Sequence, residues 1–216
     1  MFGQNSSGFR FSPTILIALA MAAFTLFKYC GSSVTNDVTG ETQHISMSPD
    51  QEIAMGLQSA PEMINEMGGE VRGTQADALV KSVGQKLVQQ GSAGKTVYRG
   101  NFQFHLLADN QTINAFALPG GQVFITNALL SKLENEDQLA GVIGHEIGHV
   151  VARHSAEKLA QMELAQGLTG AVTMATYNPN SPNSGYLAQM VSNMLQLKYG
   201  RDQELQADDL GVRFML

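Results

Sequence analysis

His145 and His149 stand four positions apart, and on a helix residues at that spacing share a face, so both imidazoles can reach one metal ion at about 2.0–2.1 Å. Glu146 follows His145 directly and lies about 100° further round such a helix. Its carboxylate therefore flanks the metal instead of binding it, where it can take a proton from a water that the metal polarises. Val142, Ile143, Ile147 and Val150 are apolar, Gly144 and Gly148 keep the helix surface small, and Glu146 is the one charge in the stretch. A solvated helix carries Lys or Glu at such positions, and an unpaired carboxylate in an apolar interior is costly. The stretch reads as an interior helix built around a metal.

A zinc site for chemistry takes three protein ligands and keeps a further position open. Glu204 is the candidate for the third, within Arg201-Asp202-Gln203-Glu204-Leu205-Gln206-Ala207-Asp208. Glu204 and Asp208 share a helix face, so one can ligate while the other accepts a histidine N–H. Two neutral imidazoles and one carboxylate leave Zn²⁺ with net positive charge, which polarises a carbonyl and lowers the pKa of a water toward about 7. One zinc ion per chain is expected.

These groups need rigid carriers. Helical pattern begins around Ala128, breaks near Asn135 and resumes from Glu136 through about Leu159, which puts both histidines on one long interior helix. Phe102, Phe104 and Leu106 alternate with Gln103 and His105, a strand with His105 on its polar side. Asp109-Asn110 marks a turn, Ile113 to Leu118 a second strand, and Pro119-Gly120-Gly121 leads into a third from Gln122 to Thr126, together predicting a small antiparallel sheet. The strand holding Asn114, Ala115 and Phe116 is either the sheet edge, where a substrate peptide can lie extended, or a buried hairpin strand. Ser48-Pro49-Asp50-Gln51 opens a helix that ends before Gly68-Gly69, and Thr74 caps another through Gln90. Ala165 to Gly185, rich first in Gly, Ala and Thr and then in Pro, Asn and Ser, reads as a loop or lid. A last helix runs from about Tyr186, with a break at Gly200. His154, five positions after His149, is rotated off the ligand face and reads as structural.

The 216 residues are 44% hydrophobic and 15% charged, sufficient for one substantial core and one domain. A formal net charge of -6 and the absence of a Lys or Arg run exclude a nucleic-acid partner. A single cysteine, Cys30, excludes an intrachain disulfide. Thr14 to Phe27 is free of charge and, with Phe11 and Lys28 at its borders, reaches the ~17 residues of a short bilayer crossing. Lys28 and Tyr29 follow where signal cleavage needs small residues, so the expectation is an uncleaved anchor, with a cleaved signal peptide or a lipid anchor as the alternatives. Arg10 precedes the span, and Tyr29 to Val71 holds seven acids and no Lys or Arg, which places the domain outside the cytoplasm. The expected organisation is a tail over 1–13, an anchor over 14–30, a linker over 31–47 and a catalytic domain over 48–216.

From Ser48 onward the chain resembles the CAAX-prenyl-endopeptidase, HtpX and BepA group of membrane-associated zinc metallopeptidases, gluzincins in which HExxH is followed at a distance by ExxxD. Asn114-Ala115-Phe116-Ala117-Leu118-Pro119-Gly120-Gly121 is similar to that group's segment before the active-site helix, and Asn135-Glu136-Asp137-Gln138-Leu139-Ala140 to its approach to HExxH. The resemblance implies a mainly helical α+β zincin-type fold, with His145, His149 and Glu204 as zinc ligands, Glu146 as general base and Asp208 supporting the ligands. It implies hydrolysis of protein or peptide substrates, for quality control or processing in a bacterial envelope. The group's members continue with further helices, which in some of them supply a His or Arg that helps stabilise the oxyanion, so a chain ending eight residues after Asp208 is expected to be truncated. The rival expectation is a zinc-binding, membrane-tethered chaperone without turnover; Glu146 argues against it, because a structural site needs ligands but no base.

Overall fold

The computed structural model describes residues 12–175 and 199–216. Helix α1 (Pro13–Gly31) starts where the Ser12 hydroxyl accepts the Ile15 N–H and Pro13 takes the first turn. It is long and apolar enough to cross a membrane, and Leu16, Phe24 and Phe27 on it are exposed.

The stretch expected as a linker holds a hairpin, β1 (Ser33–Thr35) antiparallel to β2 (Thr42–His44). Its composition suits a tether, but tertiary hydrogen bonds override it. The buried Asn36 amide donates to the Val151 carbonyl at 3.0 Å, and Gln43 donates to the Ala152 carbonyl at 2.8 Å. Both oxygens belong to a helix end that leaves its last carbonyls without intrahelical partners.

Helices α2 (Pro49–Glu66) and α3 (Gln75–Gln90) follow with Ser48 and Thr74 as their caps, where the spacing predicts them. The sheet of β3 (Gln103–Leu107), β4 (Ala115–Leu118) and β5 (Gln122–Thr126) has the order β3-β5-β4. Strand β5 pairs antiparallel with β4 but parallel with β3, so the sheet is mixed, not antiparallel throughout. The turn after β4 returns β5 between its two predecessors, and β4 becomes an edge. His105 is buried rather than solvated: its ring stacks on Phe124 with centroids 4.7 Å apart, and Glu70 and Gln122 engage its nitrogens.

After α4 (Asn127–Leu130), Asn135 caps α5 (Glu136–Val151). This helix stops well before Leu159 because Arg153 turns to φ 60, a left-handed conformation that ends helices and is rarely adopted outside glycine. Arg153 is held there by an ion pair with Glu52 and a 3.0 Å hydrogen bond to the Met47 carbonyl. Helix α6 (His154–Ala175) then runs through residues expected as a loop. Gly167 serves packing: a Cβ there would meet the Thr25 side chain of α1 at 2.4 Å, and Lys28 pairs with Glu163 at 2.9 Å on the same contact. The expected loop over 177–185 and the helix start at Tyr186 lie outside the described residues. The last helix, α7 (Arg201–Met215), begins after Gly200, at the expected break.

The main core joins α3, the sheet, α5 and α7 through Val83, Leu106, Ile125, Ile143, Ile147 and Leu210. Helices α5 and α7 meet on small residues. A Cβ on Gly148 would lie 2.8 Å from the Ala207 carbonyl oxygen, and one on Gly211 2.9 Å from the His145 nitrogen. That closeness brings the HExxH helix against the ExxxD helix.

Candidate metal centre

The α5–α7 contact sets three donor groups facing one another. His145 Nε2 lies 3.0 Å from His149 Nε2, Glu204 Oε2 lies 3.5 Å from His145 Nε2, and Glu204 Oε1 lies 3.8 Å from His149 Nε2. A tetrahedral ion at about 2.0–2.2 Å from each donor separates the donors by about 3.3–3.6 Å, so the set fits a metal of zinc's size and ligand preference. All three ligand atoms lie within 4.8 Å of one another.

The far nitrogens of both rings are also held. His145 Nδ1 donates to Asp208 Oδ1 at 2.7 Å, and His149 Nδ1 lies 2.9 Å from His154 Nδ1. The Tyr199 ring stacks on His149 with centroids 4.1 Å apart, and its hydroxyl is 2.7 Å from Ser155 Oγ. Burial, with smaller contributions from His154, His145 and Lys158, pushes His149 down to about 3, which keeps it in the neutral form that metals bind. Burial pushes Glu146 up to about 7, against the pull of His145 and with the push of Glu204.

A cleft of about 470 Å³ opens over Glu146 and His145, bounded by Asn114, Ala115, Val142 and Asp208. It shares Asn114 with a second cavity of about 370 Å³ among Met63, Met67, Phe116, Leu159, Met162 and Tyr199. Strand β4 thus borders both cavities. A larger cavity of about 600 Å³ beside Asn36, Tyr98 and Arg213 includes none of the metal-facing side chains.

Residues 74–216, from the cap of α3 to the end of the chain, match peptidase family M48. The chain belongs to that family. This M48 chain is 29% identical over 225 aligned residues to the beta-barrel assembly-enhancing protease of Escherichia coli K12, an alignment covering 96% of the chain and 43% of that protein. It is 38% identical over 115 residues to the mitochondrial metalloendopeptidase OMA1 of Schizosaccharomyces pombe, covering 53% of the chain and 32% of the relative. With the OMA1 metalloendopeptidase of Bos taurus it shares 33% over 150 residues, 65% of the chain and 28% of the relative. The M48 chain spans less than half the length of these relatives.

The residues singled out from sequence come together in this M48 domain: His145, His149 and Glu204 face one point, Asp208 backs the far nitrogen of His145, and Glu146 lies with Asn114 and Ala115 on the same cleft. Phe116 faces the neighbouring cavity and stacks on Phe124 at 4.8 Å. His154 is off the ligand face, as its position predicts, yet it touches His149 directly. Tyr199 and Gln206 carry no mark in the sequence that points to the site. Gln206 sits inside the ExxxD stretch without a periodic signal, and its contact with His154 at 2.8 Å exists only once α6 and α7 meet.

Proposed function

We propose that this M48 domain is a zinc endopeptidase that hydrolyses peptide bonds of protein substrates at a membrane. One observation carries the reading: His145, His149 and Glu204 converge beside a buried Glu146 in a cleft bordered by an edge strand. Zinc, when bound, polarises a water and the scissile carbonyl. Glu146 accepts a proton on its carboxylate as the water oxygen bonds to the scissile carbonyl carbon, and delivers that proton to the leaving amine nitrogen as the C–N bond breaks. Asp208 keeps the His145 ring oriented through Nδ1. Asn114, Ala115 and Phe116 lie along β4; the Asn114 N–H and carbonyl are both bonded to Thr126, so the open edge begins at Ala115, where an extended peptide can add as a further strand.

Helix α1 serves as a retained anchor, with the domain on the extracytoplasmic side of a bacterial envelope. Its seating on α6 supports this reading over a cleaved signal, since Gly167 leaves room for the Thr25 side chain and Lys28 pairs with Glu163. The test uses the full chain in detergent with a labelled unfolded protein. Glu146→Gln keeps the three ligands and removes the base, so zinc content is expected to stay at one per chain while cleavage falls by about 10²–10⁴-fold. Equal cleavage by variant and parent would overturn the mechanism.

A further inference from the structure

We infer that His154 is a positioning residue for the metal centre, a neutral imidazole that accepts the Nδ1–H of His149 and is locked in the required tautomer by Gln206. The inference rests on the reading of His145, His149 and Glu204 as a metal site.

The Nδ1 atoms of His149 and His154 are 2.9 Å apart, a contact that holds one proton between them. His149 turns Nε2 toward Glu204 and His145, so the lone pair for a metal must sit on Nε2 and the ring's proton on Nδ1. His154 Nδ1 must then offer a lone pair, which puts the His154 proton on Nε2. That nitrogen is 2.8 Å from Gln206 Oε1, an acceptor. The opposite tautomer of His154 would set two N–H groups against each other and release His149.

The two metal-facing histidines are therefore held by different chemistry. His145 leans on Asp208, an anion whose side chain is 66% exposed. His149 lies deeper, at 2% exposure, and its partner His154 is at 1%. A carboxylate at that depth would lose its hydration, whereas a neutral imidazole accepts the same hydrogen bond without burying charge. Helix α7 controls both rings, Asp208 directly and Gln206 through His154. The left-handed turn at Arg153 starts α6 at His154 and so fixes where this acceptor stands.

The test compares zinc affinity of the full chain by competition with a chromophoric chelator, alongside thermal unfolding of the zinc-free protein. His154→Phe fills the space of the ring but has no acceptor, and zinc binding is expected to weaken about 10–100-fold. His154→Asn places an amide oxygen where Nδ1 stood and is expected to restore affinity. Gln206→Leu frees the tautomer and is expected to fall between the two. Should His154→Phe fail to fold, the Asn and Leu variants and the imidazole ¹⁵N spectrum of the zinc-loaded parent still decide. That spectrum is expected to show His149 protonated on Nδ1 and His154 on Nε2. Parent-like zinc affinity in a folded His154→Phe or Gln206→Leu, or the reverse tautomers, would overturn this inference alone. A parent that binds no zinc would overturn the metal-site reading as well.

Discussion

The carboxylate of Asp208 accepts the Nδ1–H of His145 at 2.7 Å although the two residues are 63 positions apart. The bond crosses the α5–α7 contact and turns His145 Nε2 toward Glu204. Removing it frees the ring to rotate. Asp208→Ala is expected to weaken zinc binding by about 10–100-fold, read by chelator competition. The side chain is largely exposed, so the melting temperature of the zinc-free protein should barely move, a surface change being worth within about 0.5 kcal/mol.

Gly148 has no room for a side chain. A Cβ there would lie 2.8 Å from the Ala207 carbonyl oxygen and 3.0 Å from its Cα, backbone atoms that yield only if α7 moves. Gly148→Ala is expected to cost about 1–3 kcal/mol by overpacking and to weaken metal binding, because α7 carries Glu204. Gly141→Ala on the same helix meets nothing within 4 Å and is the control: helix propensity should make it neutral or stabilising by up to about 1 kcal/mol. Calorimetry of the two variants separates these outcomes.

Glu52 is buried and pairs with a half-buried Arg153, with Tyr98 donating to the other Glu52 oxygen at 3.0 Å. Deleting one partner strands the other charge. Glu52→Ala is expected to destabilise by about 3–5 kcal/mol, whereas Glu52→Leu with Arg153→Met should recover much of the loss. A double-mutant cycle by denaturant unfolding measures the difference.

Asp77 couples stability to pH. The hydrogen bond from Lys81 holds its carboxyl below the ordinary carboxylate range; burial acts in the opposite sense, and the Gly73 N–H adds to the lowering. The unfolded chain, with an Asp pKa of about 3.9, therefore binds more protons than the folded one at acidic pH. The contribution is present above about pH 4 and is lost as pH falls through the folded value. Asp77→Asn is expected to lower stability at pH 7 by about 1 kcal/mol. The gap to the parent should close as pH falls through the folded value, below the ordinary Asp range; a gap unchanged by acid would contradict the assignment.

Relations that act within a turn or two of chain are legible in the order of residues alone. The four-residue spacing of His145 and His149 puts both rings on one helix face, and that of Glu204 and Asp208 does the same on another. The caps at Ser48, Thr74 and Asn135 stand where side-chain oxygens meet the first free N–H groups. Composition misleads where tertiary partners outweigh it. Gly167 and Gly170 in α6 suggest a loop, but Gly167 makes room for α1, and Asn36 and Gln43 suggest a tether, but they satisfy the carbonyls ending α5.

The sequence by itself determined the donor side chains of the candidate site, their helical phase and the carboxylate beside them, because backbone geometry dictates which way neighbouring side chains point. It could not decide that β5 would return parallel to β3, that Arg153 would turn left-handed against Glu52, or that His149 would lean on His154 and Gln206. Those outcomes depend on contacts between segments far apart in the chain, where packing at Gly148 and Gly211 sets the distance between helices to within an atom's width. Local rules name the parts of this centre, and close packing of α5 on α7 makes them one site.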